Sequence, residues 1–180
     1  AKANRSAEIL IFDVIGDGWG GPSVTAKSFI AELKALGDVA EITVRINSPG
    51  GSVYDGLAIY NSLKSHPAKI IVRVEGLAAS IASVVAMAGD EVIMPENALL
   101  MIHDPEWGAV GTAEEMRKAA EALDRMKASL IMAYRQKTGL DDAKIATLMA
   151  AETWLSAEEA KTLGFCDTVE GAVKMAASFD

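Results

Sequence analysis

A chain of 180 residues, 51% hydrophobic and 23% charged, has the composition of one ordinary globular domain rather than a disordered segment. Its formal net charge of −8, without any Lys/Arg cluster, argues against a phosphate-backbone partner, so no nucleic acid is expected. The single cysteine, Cys166, excludes an internal disulfide and reads as a small core residue.

No stretch approaches the roughly 18 apolar residues of a membrane span, and AKANRSAEIL holds no signal-peptide core, so a cytoplasmic protein without membrane contact is expected. In chain order, EILIFDVI (8–15) reads as a strand. GDGWGGPSVTAKSFIAELKALG predicts a Gly-rich turn, then a helix begun by Ser23 or Thr25 and stopped by Gly37. EITVRI (41–46) is a strand ended by the turn NSPGG, and a helix follows over 52–65. AKIIVRV (68–74) is another strand, and the small, apolar run from Ser80 to Ala88 another helix.

EVIM and ALLMIH are short strands divided by PEN. After DPEWGAVG the pattern predicts one long helix, about 112–138, with Met116, Ala120, Leu123, Met126, Leu130, Ile131 and Tyr134 on or beside one stripe. Helices at 141–150 and 156–163 lead to a last strand at 165–169. Regular alternation of strand and helix argues for an α/β fold with mainly parallel strands, in one domain with a helical extension.

Three segments carry potential chemistry. In INSPGG (46–51) two adjacent glycines permit unusual backbone angles and close approach, which suits an oxyanion hole; an ordinary Pro-Gly turn reads the same. Ser80 follows a strand and begins a helix, where free N–H groups favour an oxyanion; a helix-capping serine is the bland alternative. It lies outside any Gly-x-Ser-x-Gly elbow, since the residues two before and two after are alanines. Ser83 is a rival hydroxyl, read as packed inside the helix. His103 ends the apolar strand of LLMIHDP and could serve as a base or be purely structural, whereas His66 in KSHPAK reads as solvated. At strand C-terminal ends of a parallel sheet, the three segments would gather on one edge.

Taken together and in order, INSPGG, GLAASIAS, MIHDP and TWLSAEEAKTLGFCD resemble the Clp protease proteolytic subunit family, from about residue 7 onward. IGDGWGGPSVTAKSFIAEL and AETWLSAEEA point within it to the bacteriophage prohead or head maturation branch. The resemblance implies an α/β spiral of βαβ units, of the kind shared with crotonases, carrying a protruding helical handle. It divides the single domain 1–180 into a head (about 7–111), the handle (about 112–151) and a C-terminal return (152–180).

It further implies a serine endopeptidase with Ser80 as nucleophile, His103 as base, and the backbone N–H groups of Gly51 and Ile81 as oxyanion hole. Glu152 stands where the family usually has the triad Asp, as the acid orienting His103; the alternative is that it only caps the following turn or faces water. Asp104 and Asp167 are substitutes, although neighbours along a strand point to opposite faces. An extended substrate would lie between Gly50, Ser52 and Val53 on one side and Pro105, Glu106 and Trp107 on the other.

The implied partners are polypeptide substrates, further copies in a homo-oligomeric ring or stacked rings, and an AAA+ ATPase or phage capsid and scaffolding proteins. The setting would be a bacterial or phage-infected host cytoplasm. No cluster has metal-ligand spacing and no Gly-rich loop with Lys-Ser/Thr is present, so no metal or cofactor is expected, and any ATP-driven motor would be another chain. Other readings are a crotonase-like acyl-CoA enzyme, a lysine-based signal peptide peptidase relative, and a scaffold whose site has decayed.

Overall fold

The computed structural model describes residues 5–17 and 21–171. The Gly18–Gly20 part of the Gly-rich turn, with Trp19, and the end of the C-terminal return lie outside the described residues. The chain builds a seven-stranded sheet in which β1 (Ser6–Ile11), β4 (Glu41–Ser48), β5 (Lys69–Ala79), β6 (Glu91–Pro95) and β9 (Thr168–Glu170) lie side by side and parallel. Helices α1 (Ala26–Ala35), α2 (Val53–Lys64) and α3 (Ile81–Ala86) make the crossovers between successive parallel strands. The mixed α/β architecture expected from the alternation is therefore present.

Alternation within the strands sorts the two faces of the sheet. Ile42, Val44 and Ile46 of β4 and Ile70, Val72 and Val74 of β5 are buried with Phe29 and Leu33 of α1 and Ile59 and Leu63 of α2. Among the intervening residues, Arg45 and Arg73 carry charge. Arg45 pairs with Glu8 and Glu75, and Arg73 with Glu75 and Glu170. Helix α3 is buried on every side, which explains its run of alanines and valines without any charge.

Several expected strands have other bounds: β4 runs on through Asn47 and Ser48, where the sequence predicts a turn, and the last strand, expected at 165–169, is β9 at Thr168–Glu170. The 8–15 strand breaks at Phe12–Asp13: β1 stops at Ile11, and β2 (Val14–Ile15) turns aside to pair with β3 (Ser23–Val24) and bridge to Gly51. The 68–74 strand runs on to Ala79, because its last three residues pair with a second neighbour, β7 (Leu99–Ile102), where its first half pairs with β6. That extension carries Ser80 to the end of the part of β5 that pairs with β7. An unexpected strand, β8 (Thr153–Ser156), pairs antiparallel with β7.

The helix expected over 112–138 is α4 (Ala113–Thr138), opened by a Thr112–Glu115 capping box and closed by left-handed Gly139. Its expected stripe is buried only in the C-terminal part, at Leu130 and Tyr134, joined there by Ala133, and Met116 is exposed. Helices α5 (Asp142–Ala150) and α6 (Ala157–Thr162) lead back to the sheet. Lys137 near the end of α4 docks it: its ammonium donates to the carbonyls of Gly89 and Asp90 and sits 2.6 Å from the Asp167 carboxylate. Cys166 is buried as expected, and burial pushes its thiol above the usual range.

Candidate active site

The ends of β4, β5 and β7 converge, bringing INSPGG, Ser80 and His103 to one edge. Ser80 leaves β5 at φ 54° and ψ −130°, a backbone geometry that an L side chain rarely adopts. It stands at the N-cap of α3, yet its side chain makes no capping hydrogen bond. Instead, its Oγ lies 2.8 Å from His103 Nε2. The Ser80 N–H donates to the carbonyl of Met101, which locks the Ser80 end of β5 to the strand bearing His103.

The Pro-Gly-Gly turn packs behind this pair. Gly50 has φ 97°, and a Cβ there would lie 2.7 Å from both the Ala79 carbonyl oxygen and Ser80 Cβ. A Cβ on Gly51 would collide with the Ile15 carbonyl. Strand β2 threads past both: Ile15 N–H donates to Gly50 O at 2.8 Å, and Ser52 N–H donates to Ile15 O at 2.7 Å. Buried Ser48 completes the frame, accepting from Gly50 N–H at 3.1 Å and donating to Asp13 O at 2.6 Å. Neither Gly51 N–H nor Ile81 N–H has an acceptor among the described residues.

Ser80 and His103 line a cleft of about 300 Å³ with Pro49, Gly51, Val53 and Tyr134. It adjoins a second hollow of about 200 Å³, reached over Gly51, Val53 and Glu106 and lined further by Ser52, Tyr54, Trp107 and Met126. Of the residues expected along a substrate, Ser52, Val53, Pro105, Glu106 and Trp107 line one hollow or both, and Gly50 lies behind the wall. Trp107 and Tyr54 present large, exposed aromatic faces to the second hollow.

The carboxylates are dispersed. Thr153 pairs with Ile102, so one further step of the β7–β8 ladder sets Glu152 opposite His103. Its backbone is left-handed at φ 47°, and its Oε1 accepts from Trp154 Nε1 at 3.3 Å, with no ion pair to His103. The carboxylate nearest His103 Nδ1 belongs to Glu106, 3.9 Å away and largely solvent-exposed. Asp104 is held by Lys127 at 2.8 Å and Asp167 by Lys137, so neither substitute reaches His103.

Three residues escape a reading of the sequence. Ser48 looks like part of a turn, and only its burial at 1% exposure marks it as a fastener. Ser83, expected as packed inside its helix, is buried there but also donates to Ser80 O at 2.6 Å and lies 2.8 Å from Tyr134 Oη. Tyr134 belongs to a stripe in which a hydroxyl partner could not be foreseen, and complete burial pushes its phenol far up from the ordinary value.

A mostly parallel α/β sheet whose strand ends set a strained serine against a histidine, in a groove lined by Gly51, defines the class of protein. Comparison with known proteins specifies it. The sequence pattern of Clp protease matches residues 21–172. The chain is 34% identical over 145 residues to the ATP-dependent Clp protease proteolytic subunit of Pleurastrum terricola, covering 79% of this chain and 74% of that protein. It is 35% identical over 146 residues to proteolytic subunit 3 of Rhodococcus jostii, covering 80% and 72%. For the proteolytic subunit of Bacteroides fragilis the figures are 34% over 151 residues, covering 81% and 72%. This chain belongs to the Clp protease family.

Proposed function

We propose that the protein is a serine endopeptidase. The 2.8 Å contact between Ser80 Oγ and His103 Nε2, in a cleft of about 300 Å³, carries this reading. Ser80 attacks the scissile carbonyl carbon while His103 Nε2 takes the hydroxyl proton. The resulting oxyanion accepts from Gly51 N–H and Ile81 N–H, which have no other acceptor among the described residues. Collapse of the intermediate breaks the C–N bond, and His103 passes its proton to the leaving amine. Water, deprotonated by His103, then releases the acyl group from Ser80.

For Nε2 to accept from Ser80, the neutral imidazole carries its proton on Nδ1, which calls for an acidic partner. Glu152 fills that place by turning from Trp154 across the β7–β8 ladder toward His103. The substrate lies as an added strand between Ser52–Val53 and Pro105–Trp107, held through its backbone and hence with little sequence selectivity. No cofactor takes part.

The working form is a homo-oligomeric ring or stacked rings in the cytoplasm of a bacterium or a phage-infected host, with α4 as the handle between rings. Its substrates are phage capsid or scaffolding proteins, a role supported by the IGDGWGG and AETWLSAEEA segments. The rival setting, degradation fed by an AAA+ ATPase, draws support from relatives described as ATP-dependent.

The test is intact mass after incubation with a fluorophosphonate, for wild type and Ser80→Ala, on each oligomeric fraction. A single adduct on wild type alone is expected. No adduct on wild type in any fraction would leave a scaffold in which Ser80 merely starts a helix.

A further inference from the structure

The buried hydroxyls of Ser83 and Tyr134 have no part in the scheme above, yet Ser83 bonds to the carbonyl of Ser80 and Tyr134 bonds to Ser83. Ser80 O can only accept, so the single proton of Ser83 Oγ is committed to it at 2.6 Å. Tyr134 Oη, 2.8 Å from Ser83 Oγ, must therefore be the donor in that contact. Burial keeps the phenol protonated and able to donate. The chain of bonds thus has one direction, from Tyr134 on α4 through Ser83 on α3 to the carbonyl of Ser80. Ser83 N–H adds a second bond to the same carbonyl at 3.0 Å.

The peptide bond is planar, and its C=O and N–H point in opposite directions. The N–H sharing a plane with Ser80 C=O is that of Ile81. Fixing the carbonyl therefore also fixes the Ile81 N–H, which points the opposite way in the same plane. Ser80 sits in an unfavourable backbone region, with φ 54°, so without such a tether this peptide plane could relax by rotation.

We propose that Ser83 and Tyr134 are positioning residues for the oxyanion hole: they hold the Ser80–Ile81 peptide so that Ile81 N–H meets the developing charge. This rests on the peptidase reading. It also joins the site to the long helix α4, because the outer end of the tether, Tyr134, packs there with its ring edge-on to Phe165 at 5.7 Å between centroids.

The test compares Ser83→Ala, Tyr134→Phe and the double variant with wild type in peptide hydrolysis and in inhibition by a peptide aldehyde, whose serine adduct places an oxygen in the oxyanion hole. Complete removal of an oxyanion donor costs about a hundredfold or more in kcat, and misaiming one should cost less, about tenfold for Ser83→Ala. KM should stay within about twofold, since ground-state binding does not use the hole, and the aldehyde Ki should rise in step with the loss of kcat. Tyr134→Phe should show a smaller loss of the same kind, and the double variant should be no worse than Ser83→Ala, because both act through one tether.

Unchanged kcat and Ki in Ser83→Ala would overturn the proposal. So would a loss shared equally by KM and thermal stability, which would mark the hydroxyls as packing alone. A wild type inert to fluorophosphonate and to peptide would instead remove the peptidase reading, and this proposal with it.

Discussion

Among the described residues other than glycine, only Ser80 and Glu152 have positive φ, and each stands one residue from a strand end. Holding an L side chain there costs about 1–3 kcal/mol. At Ser80 the strain comes from swinging out of β5 into α3 within one residue, which presents Oγ to the groove instead of to the helix end. A comparison of two variants that both lack the hydroxyl isolates this cost. Ser80→Gly should be more stable than Ser80→Ala by about 1 kcal/mol, despite glycine's greater entropy when unfolded. Urea midpoints measure the difference; equal midpoints, or a higher one for alanine, would mean that the elbow is relaxed.

The meeting of Ser80 with His103 was legible in the sequence because residue type and position at a strand end coincide in both. Glu152 was legible only as a position. The ladder places it opposite His103, but the rotamer that ties its carboxylate to Trp154 depends on a neighbour two residues on, whose indole could as well have pointed elsewhere. Ser83 and Tyr134 lie 51 residues apart, and no local pattern tells a serine in an apolar helix which hydroxyl it will meet.

At the scale of elements, helices read well because their ends carry their own chemistry. Thr25, Thr112 and Ser156 each close a capping box, and Gly139 ends α4 in the left-handed region. Strand bounds read less well, since pairing decides them. Nothing within AKIIVRVEGLAA announces that β5 will change partners, and TWLS becomes a strand only because β7 has a free edge.

The docking of α4 is another long-range effect. Lys137, whose side chain is only 10% exposed, spans from the helix to two carbonyls beyond α3 and to Asp167 before β9. Lys137→Ala would leave those acceptors without their shared cation. A fully buried pair broken in this way costs about 3–5 kcal/mol. Here Asp167 keeps water access and a bond from Val92 N–H, so about 2 kcal/mol is expected. Thermal or urea unfolding would show it. If Tyr134 is the outer end of the tether, the same variant should also lower kcat more than it raises KM. A stability loss below about 0.5 kcal/mol, the usual size of a surface substitution, would show that α4 is docked by its apolar residues alone.

For the whole molecule, the proposed stack of rings must form between copies that each carry a formal charge of −8. Like charges oppose association over distances longer than the screening length, which is about 10 Å at 0.1 M salt. The attraction has to come from surface that repulsion does not reach, and α4 offers some. Its first half lies away from the core and exposes Met116, while Trp107 and Val110 stand exposed just before it. Assembly should therefore strengthen between about 0.05 and 0.3 M salt as the repulsion is screened, the opposite of an interface made chiefly from salt bridges. Met116→Glu, which adds charge to that surface, should shift the distribution toward monomer and steepen the salt dependence. Sedimentation velocity at several salt concentrations resolves both effects. An assembly that loosens with salt, or that is indifferent to Met116→Glu, would place the contact on the charged outer face of the sheet instead, where Arg45, Arg73 and their carboxylate partners already alternate in sign.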